Sequence, residues 1–329
     1  MTGPAVLDRV VARAPLAGHD GRSGARLERV LLDDGTRLVV KRTSPAVDLV
    51  MRLTGTAVSR ELTLWRAGVL DRLPAGVGHA LVDGWEEGDE TVLVMRDLGD
   101  AVVGWGRRLS REEWRRLLDA ATRVHRAFAG GSGGPDGLCP VDDRVAMFSP
   151  ARMAPLGRDL GSLPAAAVRG WERFAEIVAR DVAGAVLGLL ERPLRLSSAL
   201  ARRPSTLIHG DLWLVNVAFE PGRVTLLDWD LATWAPPALE LALFLDGNSS
   251  QVGATQDQLV DDFRAVWGAD HDETALRLAL LAGLVELGWN KALDVTEHPD
   301  GAVRARERAD LDWWVAEARR TLDLGLLEP

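Results

Sequence analysis

The stretch from Ser205 to Asp230 reads STLIHGDLWLVNVAFEPGRVTLLDWD. Asn216 follows Asp211 by five residues, and Asp228 follows Asn216 by twelve. Phosphoryl transfer needs a carboxylate to orient the attacking hydroxyl and oxygen ligands to hold magnesium on the nucleotide phosphates. The spacing therefore predicts Asp211 as the catalytic carboxylate and Asn216 and Asp228 as metal ligands.

The local pattern around these residues predicts how they meet. Residues 206–208 form a short apolar run, and a polar loop begins at His209. A tight β-hairpin is predicted next, with strands over residues 217–219 and 224–227 and a turn over 220–223. Asn216 then lies where the first strand begins and Asp228 where the second ends, so we expect both side chains to converge beside Asp211.

Composition narrows the class of protein. The chain has 329 residues and 47% hydrophobic residues, which favours two domains with substantial cores. A net charge of -9 argues against a nucleic-acid binder, because phosphate backbones attract a basic surface. The single cysteine, Cys139, excludes an internal disulfide. We find no signal peptide and no apolar run long enough for a membrane span, so we expect a soluble, cytoplasmic protein.

Lysine is rare in this chain. Of the 39 Lys and Arg residues, only Lys41 and Lys291 are lysines. Lys41 ends a predicted strand, which is a suitable place for a nucleotide-binding lysine. The preceding loop contains Gly18, Gly21, Ser23 and Gly24, and its glycines allow backbone amides to approach phosphates. The spacing matches neither the dinucleotide fingerprint nor the phosphate-loop motif.

The first part of the chain is predicted to be a small sheet with one helix packed on it. Predicted strands cover residues 25–32, 37–41, 79–85 and 91–96, and a helical pattern covers 47–69. Glu61 lies on that helix and can pair with Lys41. We place a lobe boundary after Leu98, which gives a nucleotide-binding lobe over 1–98 and a second lobe over 99–329.

The second part is predicted to be helical with one β insertion. Ser110 and Glu113 form a capping box, and further helical patterns cover 164–190, 255–268, 273–293 and 302–324, with another after Pro237. Several acidic residues in the second lobe could favour an amine, but we interpret them as solvated helix faces: Asp261, Asp262, Glu286, Asp310 and Asp312.

The motif His209-Gly210-Asp211-Leu212, with Asn216 and then Leu227-Asp228-Trp229-Asp230, resembles the aminoglycoside phosphotransferase and choline kinase family. This family has a two-lobed, protein-kinase-like α+β fold: a small antiparallel sheet with a helix, followed by a mainly helical lobe. The resemblance extends over most of the chain. Gly210, Trp213 and Glu240 depart from related patterns, which have arginine, often histidine, and usually aspartate at these places.

The resemblance implies roles for individual residues. Lys41 would hold the α- and β-phosphates of ATP, and Glu61 would orient it. The linker 95–98, which includes Met95 and Asp97, would contact adenine through its backbone. Asp211 would be the catalytic base, and Asn216 and Asp228 would hold Mg²⁺.

We therefore expect an ATP-dependent phosphotransferase that modifies a hydroxyl of a small molecule, with no nucleic-acid or membrane partner. The acceptor is an aminoglycoside, another antibiotic, an amino sugar, a sugar or an amino alcohol. Asp230 faces substrate, magnesium or solvent. Trp289 and Trp313 are candidates for the substrate pocket, although most of the 12 tryptophans should be core.

Three alternatives remain open from the sequence. A nucleotide-binding pseudokinase with a regulatory or scaffolding role is disfavoured because every chemical position is filled. A metal-dependent phosphoesterase built on His209, Asp211, Asp228 and Asp230 lacks histidine ligands. A protein substrate is disfavoured because the chain has no activation segment of the protein-kinase kind.

Overall fold

The computed structural model describes residues 4–16, 24–131, 134–156 and 162–328. A β-rich N-terminal part is followed by a mainly helical part with short strands. The predicted α+β class, with a small antiparallel sheet in one part of the chain, is confirmed. None of the helices in these ranges is long and apolar enough to cross a membrane.

The strands of the N-terminal part are β1 (Val10–Pro15), β2 (Arg26–Leu32), β3 (Arg37–Thr43), β4 (Val77–Gly78), β5 (Leu81–Glu87) and β6 (Glu90–Arg96). Five of them form a sheet in the order β1-β2-β3-β6-β5, with every neighbouring pair antiparallel. Alternate residues of β3 belong to different cores: Leu38 and Val40 pack on one face and Val39 on the other. Lys41 shares the parity of Val39, so it points toward the helical part.

The single helix predicted over 47–69 is wrong, because the structure has two short helices there. They are α1 (Leu49–Leu53) and α2 (Arg60–Arg66). Gly55 follows α1 with φ +64°, a left-handed conformation that ends a helix at low cost in glycine. A new N-cap then starts α2, where the Ser59 hydroxyl accepts a hydrogen bond from the Leu62 amide.

The remaining elements largely follow the predicted periodicities. The helices are α3 (Arg111–Phe128), α4 (Val141–Val145), α5 (Pro150–Met153), α6 (Leu163–Ile177), α7 (Arg180–Glu191), α8 (Leu194–Ala201), α9 (Pro237–Asn248), α10 (Gln256–Trp267), α11 (Glu273–Glu297) and α12 (Gly301–Asp323). The strands are β7 (Thr206–Ile208), β8 (Val217–Glu220), β9 (Arg223–Leu226) and β10 (Thr233–Ala235). Both hydrogen bonds of the Ser110–Glu113 capping box form, and β8 and β9 make the predicted hairpin. Extended backbone at Val178 divides the 164–190 region into α6 and α7.

The helical part is built around α11, which packs against α6, α9 and α12. A buried ion cluster links α11 to α12: the Lys291 ammonium lies 2.6 Å from Asp310 Oδ2 and 3.2 Å from Glu307 Oε2. Asp246 on α9 is buried near the same lysine. The interpretation of Glu286 and Asp310 as solvated is wrong, because their relative exposures are only 1% and 8%. Burial at these positions is possible because each carboxylate has a cationic partner.

Close packing of α6 on α11 leads to a stability prediction. A Cβ added at Gly170 would lie 2.4 Å from the Trp289 carbonyl oxygen, a backbone atom that cannot turn aside. We expect Gly170→Ala to lower the free energy of unfolding by about 1–3 kcal/mol. Gly184 is the matched control, because it lies within α7 with nothing within 4 Å of its added Cβ. Gly184→Ala should raise stability by roughly 0.5–1 kcal/mol. Urea unfolding of both variants measures this difference, and equal effects would contradict the packing argument.

Asp246 leads to a prediction about pH. Burial raises the pKa of this carboxyl to about 7, although the Lys291 charge opposes the shift. The folded state therefore binds the proton more tightly than the unfolded chain, and this contribution to stability disappears as the pH rises toward 7. We expect Asp246→Asn to be more stable than the wild type at pH 8, by on the order of a few kcal/mol, with little gain at pH 4.5.

Urea unfolding at several pH values tests the Asp246 prediction. Asp312→Asn is the control, because Asp312 is an exposed residue of α12. Its stability difference from the wild type should not change with pH. A pH-independent effect of Asp246→Asn would contradict the assignment of a raised pKa.

Candidate active site

The loop after β7 is held by a single buried carboxylate. Glu240 on α9 accepts hydrogen bonds from the His209 amide at 2.6 Å and from the Gly210 amide at 3.0 Å. Burial alone would raise the pKa of Glu240, but the nearby His125, whose Nε2 lies 3.5 Å from Glu240 Oε2, and the contacts with His209 outweigh it and lower that pKa. One carboxylate therefore accepts hydrogen bonds from two consecutive loop amides and fixes the loop against α9.

Gly210 is required by the shape of this loop. Its φ is +78°, and a Cβ there would lie 2.0 Å from the Leu231 carbonyl oxygen. No other residue type fits this left-handed, closely packed position without moving the backbone. His209 packs beside it, with its ring 4.5 Å from the Trp229 ring and its Nε2 2.9 Å from the Leu227 oxygen. These contacts hold the His209 ring in place and support the loop.

Asp211 and Asn216 meet as the sequence predicted. The Asn216 amide nitrogen donates to Asp211 Oδ2 and to the Asp211 carbonyl oxygen, both at 3.0 Å. Burial raises the pKa of the Asp211 carboxyl to about 7, against the opposing charge of Arg144. A carboxylate with this pKa is suited to accept a proton near neutral pH.

Asp228 follows β9 in an unusual backbone conformation. Its φ of 62° and ψ of 69° are left-handed, and it is the only such residue apart from glycines in the described ranges. A left-handed residue with a side chain costs about 1 kcal/mol or more, so the surroundings must hold it in place. The conformation lets the side chain turn toward Lys41.

Lys41 is buried among carboxylates. Its Nζ lies 2.9 Å from Asp228 Oδ1 and 3.1 Å from Asp230 Oδ2. Burial alone would lower the pKa of this ammonium, but the charges of Asp228 and Asp230 outweigh it and raise that pKa. The expected direct pair between Lys41 and Glu61 does not form. The Lys41 ammonium contacts Asp228 and Asp230 instead, and Glu61 affects the Lys41 pKa only through its charge.

Glu61 and Asp230 complete an acidic cluster with Asp228. One carboxylate oxygen from each lies within 4.8 Å of the others, an arrangement that could hold a metal ion. Glu61 Oε2 is buried without a hydrogen-bond partner, and burial raises the pKa of Glu61 to about 8. Asp230 is also tied to α2, since it accepts from the Ser59 hydroxyl at 2.6 Å and from the Glu61 amide at 3.2 Å.

A cavity of ≈ 190 Å³ lies between the two parts of the chain, lined by Asp228 and Asp230 but not by Glu61. The cavity includes six residues predicted for the site: Lys41, Asp211, Asn216, Asp228, Asp230 and Trp289. Further lining residues had no site role in the predictions from sequence, among them Trp105, Arg144, Trp213, Asp246 and Glu286. Asp246 and Glu286 carry a recognisable signal, because each is a charge within an otherwise apolar helix pattern. Arg144 carries none, because it lies in a short, mixed segment.

Other predicted residues lie elsewhere. Trp313 is on α12, outside the cavity lining, and its indole N–H donates to Asp257 Oδ1 at 2.8 Å. Met95 is buried within the sheet, and Asp97 pairs with Arg29 at 2.7 Å. Neither lines this cavity.

The glycine-rich loop is only partly described. Gly24 has φ +93°, and its added Cβ would lie 2.2 Å from the Val47 carbonyl oxygen, so this glycine serves a close backbone approach. Gly21 and Ser23 lie outside the described residues.

The fold resembles solved structures along nearly its full length. An aminoglycoside phosphotransferase from Alicyclobacillus acidocaldarius is 16% identical, with a TM-score of 0.51 over 99% of this chain and 95% of that chain. The choline kinase LicA from Streptococcus pneumoniae is 13% identical, with a TM-score of 0.54 over 95% of this chain and 96% of that chain. A thermostable mutant of aminoglycoside phosphotransferase APH(4)-Ia, in ternary complex with AMP-PNP and hygromycin B, is 17% identical, with a TM-score of 0.52 over 94% of both chains. At these identities the likeness concerns the fold, and it confirms the expected protein-kinase-like class.

Sequence comparison identifies the family. No curated protein matches this chain. Residues 20–277, which include both β3 and the loop after β7, match the model of the phosphotransferase enzyme family. The chain therefore belongs to the phosphotransferase enzyme family.

Proposed function

We propose that the protein transfers the γ-phosphate of ATP to a hydroxyl group of a small molecule. The observation that carries this proposal is the convergence of four residues with complementary roles on one cavity: Lys41, Asp211, Asn216 and Asp228. In phosphoryl transfer, positioning and charge supply most of the catalysis, and these four residues offer a base, a cation for the phosphates and two metal ligands beside one another.

Asp211 is the base in this proposal. Its carboxylate faces the cavity, is oriented by the Asn216 amide, and has a pKa raised to about 7 by burial. It accepts a hydrogen bond from the acceptor hydroxyl and aligns the oxygen for in-line attack. It takes the hydroxyl proton as the new bond to phosphorus forms and the bond from the γ-phosphorus to the β-phosphate oxygen breaks, so that ADP leaves.

Lys41 and the acidic cluster serve the nucleotide. Lys41 would contact the phosphates, and Asp228 with Asn216 would hold Mg²⁺, as the resemblance implies. The cluster of Glu61, Asp228 and Asp230, with its partnerless Glu61 oxygen, fits a site that accepts a cation. When bound, Mg²⁺ neutralises charge on the phosphates. Met95 and Asp97 belong to the linker proposed to contact adenine, with the lobe boundary after Leu98.

The inner wall of the cavity favours an acceptor that carries an amine. Asp246 is 4% exposed, and its Oδ1 has no hydrogen-bond partner. Its neighbour Lys291 is already engaged by Glu307 and Asp310. Trp213 and Trp289 also line the cavity and offer apolar faces to a cation or a ring. Aminoglycosides, amino sugars and amino alcohols meet these requirements.

A panel of hydroxyl compounds tests the acceptor proposal. Matched compounds with and without an amine are incubated with Mg-ATP, and phosphorylated product is measured by mass spectrometry. We expect product from at least one amine-bearing compound and much less from its neutral counterpart. Equal rates for matched pairs would contradict the amine preference, and no ATP turnover with any acceptor would favour the pseudokinase alternative.

Asp211→Asn tests the assignment of the base. The substitution keeps the size of the side chain and removes the negative charge that takes the proton. We expect kcat to fall by about 10²–10⁴, with the Kd for Mg-ATP changed by less than roughly threefold. Steady-state kinetics and calorimetric titration of Mg-ATP measure the two effects separately. A variant with the wild-type kcat would show that another group accepts the proton.

A further inference from the structure

Arg144 makes an unusual contact with the catalytic loop. It lies on α4, and its side chain is almost fully buried, with 3% exposure. Its Nε and Nη2 donate to the Gly210 carbonyl oxygen, at 3.1 Å and 2.7 Å. Its Nη1 pairs with Glu286 on α11. One guanidinium therefore connects α11 to a single carbonyl oxygen in the loop.

That carbonyl belongs to the peptide group between Gly210 and Asp211. Its orientation sets the direction in which the Asp211 backbone continues, and so the position of the carboxylate. Gly210 provides no restraint of its own, because glycine populates many backbone conformations. On the other side of the residue, the Gly210 amide donates to Glu240 at 3.0 Å. The residue before the proposed base is thus held at both its amide and its carbonyl by charged side chains.

Glu286 explains why an arginine can be buried here. A charge transferred from water into a protein interior costs several kcal/mol unless it is paired and hydrogen-bonded. Glu286 supplies the opposite charge, and Gly210 supplies an acceptor for the other two nitrogens. The ion pair with Glu286 joins α4 to α11. The two hydrogen bonds from Arg144 to the Gly210 carbonyl oxygen are not needed for that, and they indicate a second role.

We propose that Arg144 is a positioning residue for phosphoryl transfer. It fixes the peptide plane between Gly210 and Asp211 and thereby aims the Asp211 carboxylate at the acceptor hydroxyl. The inference rests on the proposed function, in which Asp211 is the base. Arg144 acts through the loop, so its removal should reduce kcat and leave the affinity for Mg-ATP nearly unchanged.

Two variants separate positioning from stability. Arg144→Met leaves the buried Glu286 carboxylate without its cationic partner and should lower the melting temperature. The double variant Arg144→Met/Glu286→Leu removes both charges, so its melting temperature should recover. We expect its kcat to remain about 10²-fold below the wild type, because small displacements of a catalytic group have effects of this size. Its KM for ATP should change little.

Further variants keep the test decisive. Arg144→Lys retains the charge beside Glu286 but cannot place two N–H groups from a planar fork on one carbonyl. It should fold like the wild type and still lose most of its kcat. Arg203→Met is the matched control, because Arg203 pairs with Asp272 at 2.6 Å away from the cavity lining. Its kcat should equal that of the wild type.

The outcomes distinguish this inference from the proposed function. Wild-type kcat in the folded double variant or in Arg144→Lys would overturn the positioning role. If the wild type itself transfers no phosphate, the proposed function fails, and hydrogen exchange of the peptide 206–216 decides the present inference. Faster exchange confined to this peptide in Arg144→Lys supports the restraint on the loop, and unchanged exchange overturns it.

Discussion

The bond between the Glu240 carboxylate and two consecutive loop amides is the contact on which the site depends. It fixes the His209 and Gly210 backbone against α9. Asp211 then follows directly, and the β8–β9 hairpin brings Asn216 and Asp228 to the same cavity. Because α9 also packs on α11, the loop after β7 is attached to the helix around which the helical part is built. The position of the proposed base is thus set by the core.

Charge balance is the second organising principle. Several carboxylates line the cavity, whereas Lys41 and Arg144 are its only basic lining residues in the described part of the chain. Each cation has at least one carboxylate partner at hydrogen-bond distance. The excess negative charge is suited to cationic ligands, which in the proposed function are a metal at one end and an amine at the other. Burial is the largest cause of the raised pKa values of the Asp211 and Glu286 carboxyl groups, and the charges of neighbouring carboxylates raise them further.

Local sequence patterns predicted the parts of the site that are local in the chain. The loop after β7 and the hairpin that follows are contiguous, so spacing alone placed Asp211, Asn216 and Asp228 together. Lys41 was predicted from the rarity of lysine and from its place at the end of a predicted strand. Arg144 was not predictable, because its contact with Gly210 joins residues 66 positions apart. The same limit explains the wrong expectation for the Lys41 pair: which carboxylate reaches a buried lysine depends on the packing of two separate elements.

The left-handed backbone at Asp228 has an evolutionary consequence. Asparagine and aspartate tolerate this conformation better than other residues with side chains, and glycine tolerates it best. Asparagine and glycine are therefore the replacements most easily accepted at this position, and both keep the chain folded while removing the charge proposed to bind the metal. Descendants of this gene could lose catalysis here without losing their architecture. A search for inactive relatives that survive as binding proteins should begin at the residue aligned with Asp228.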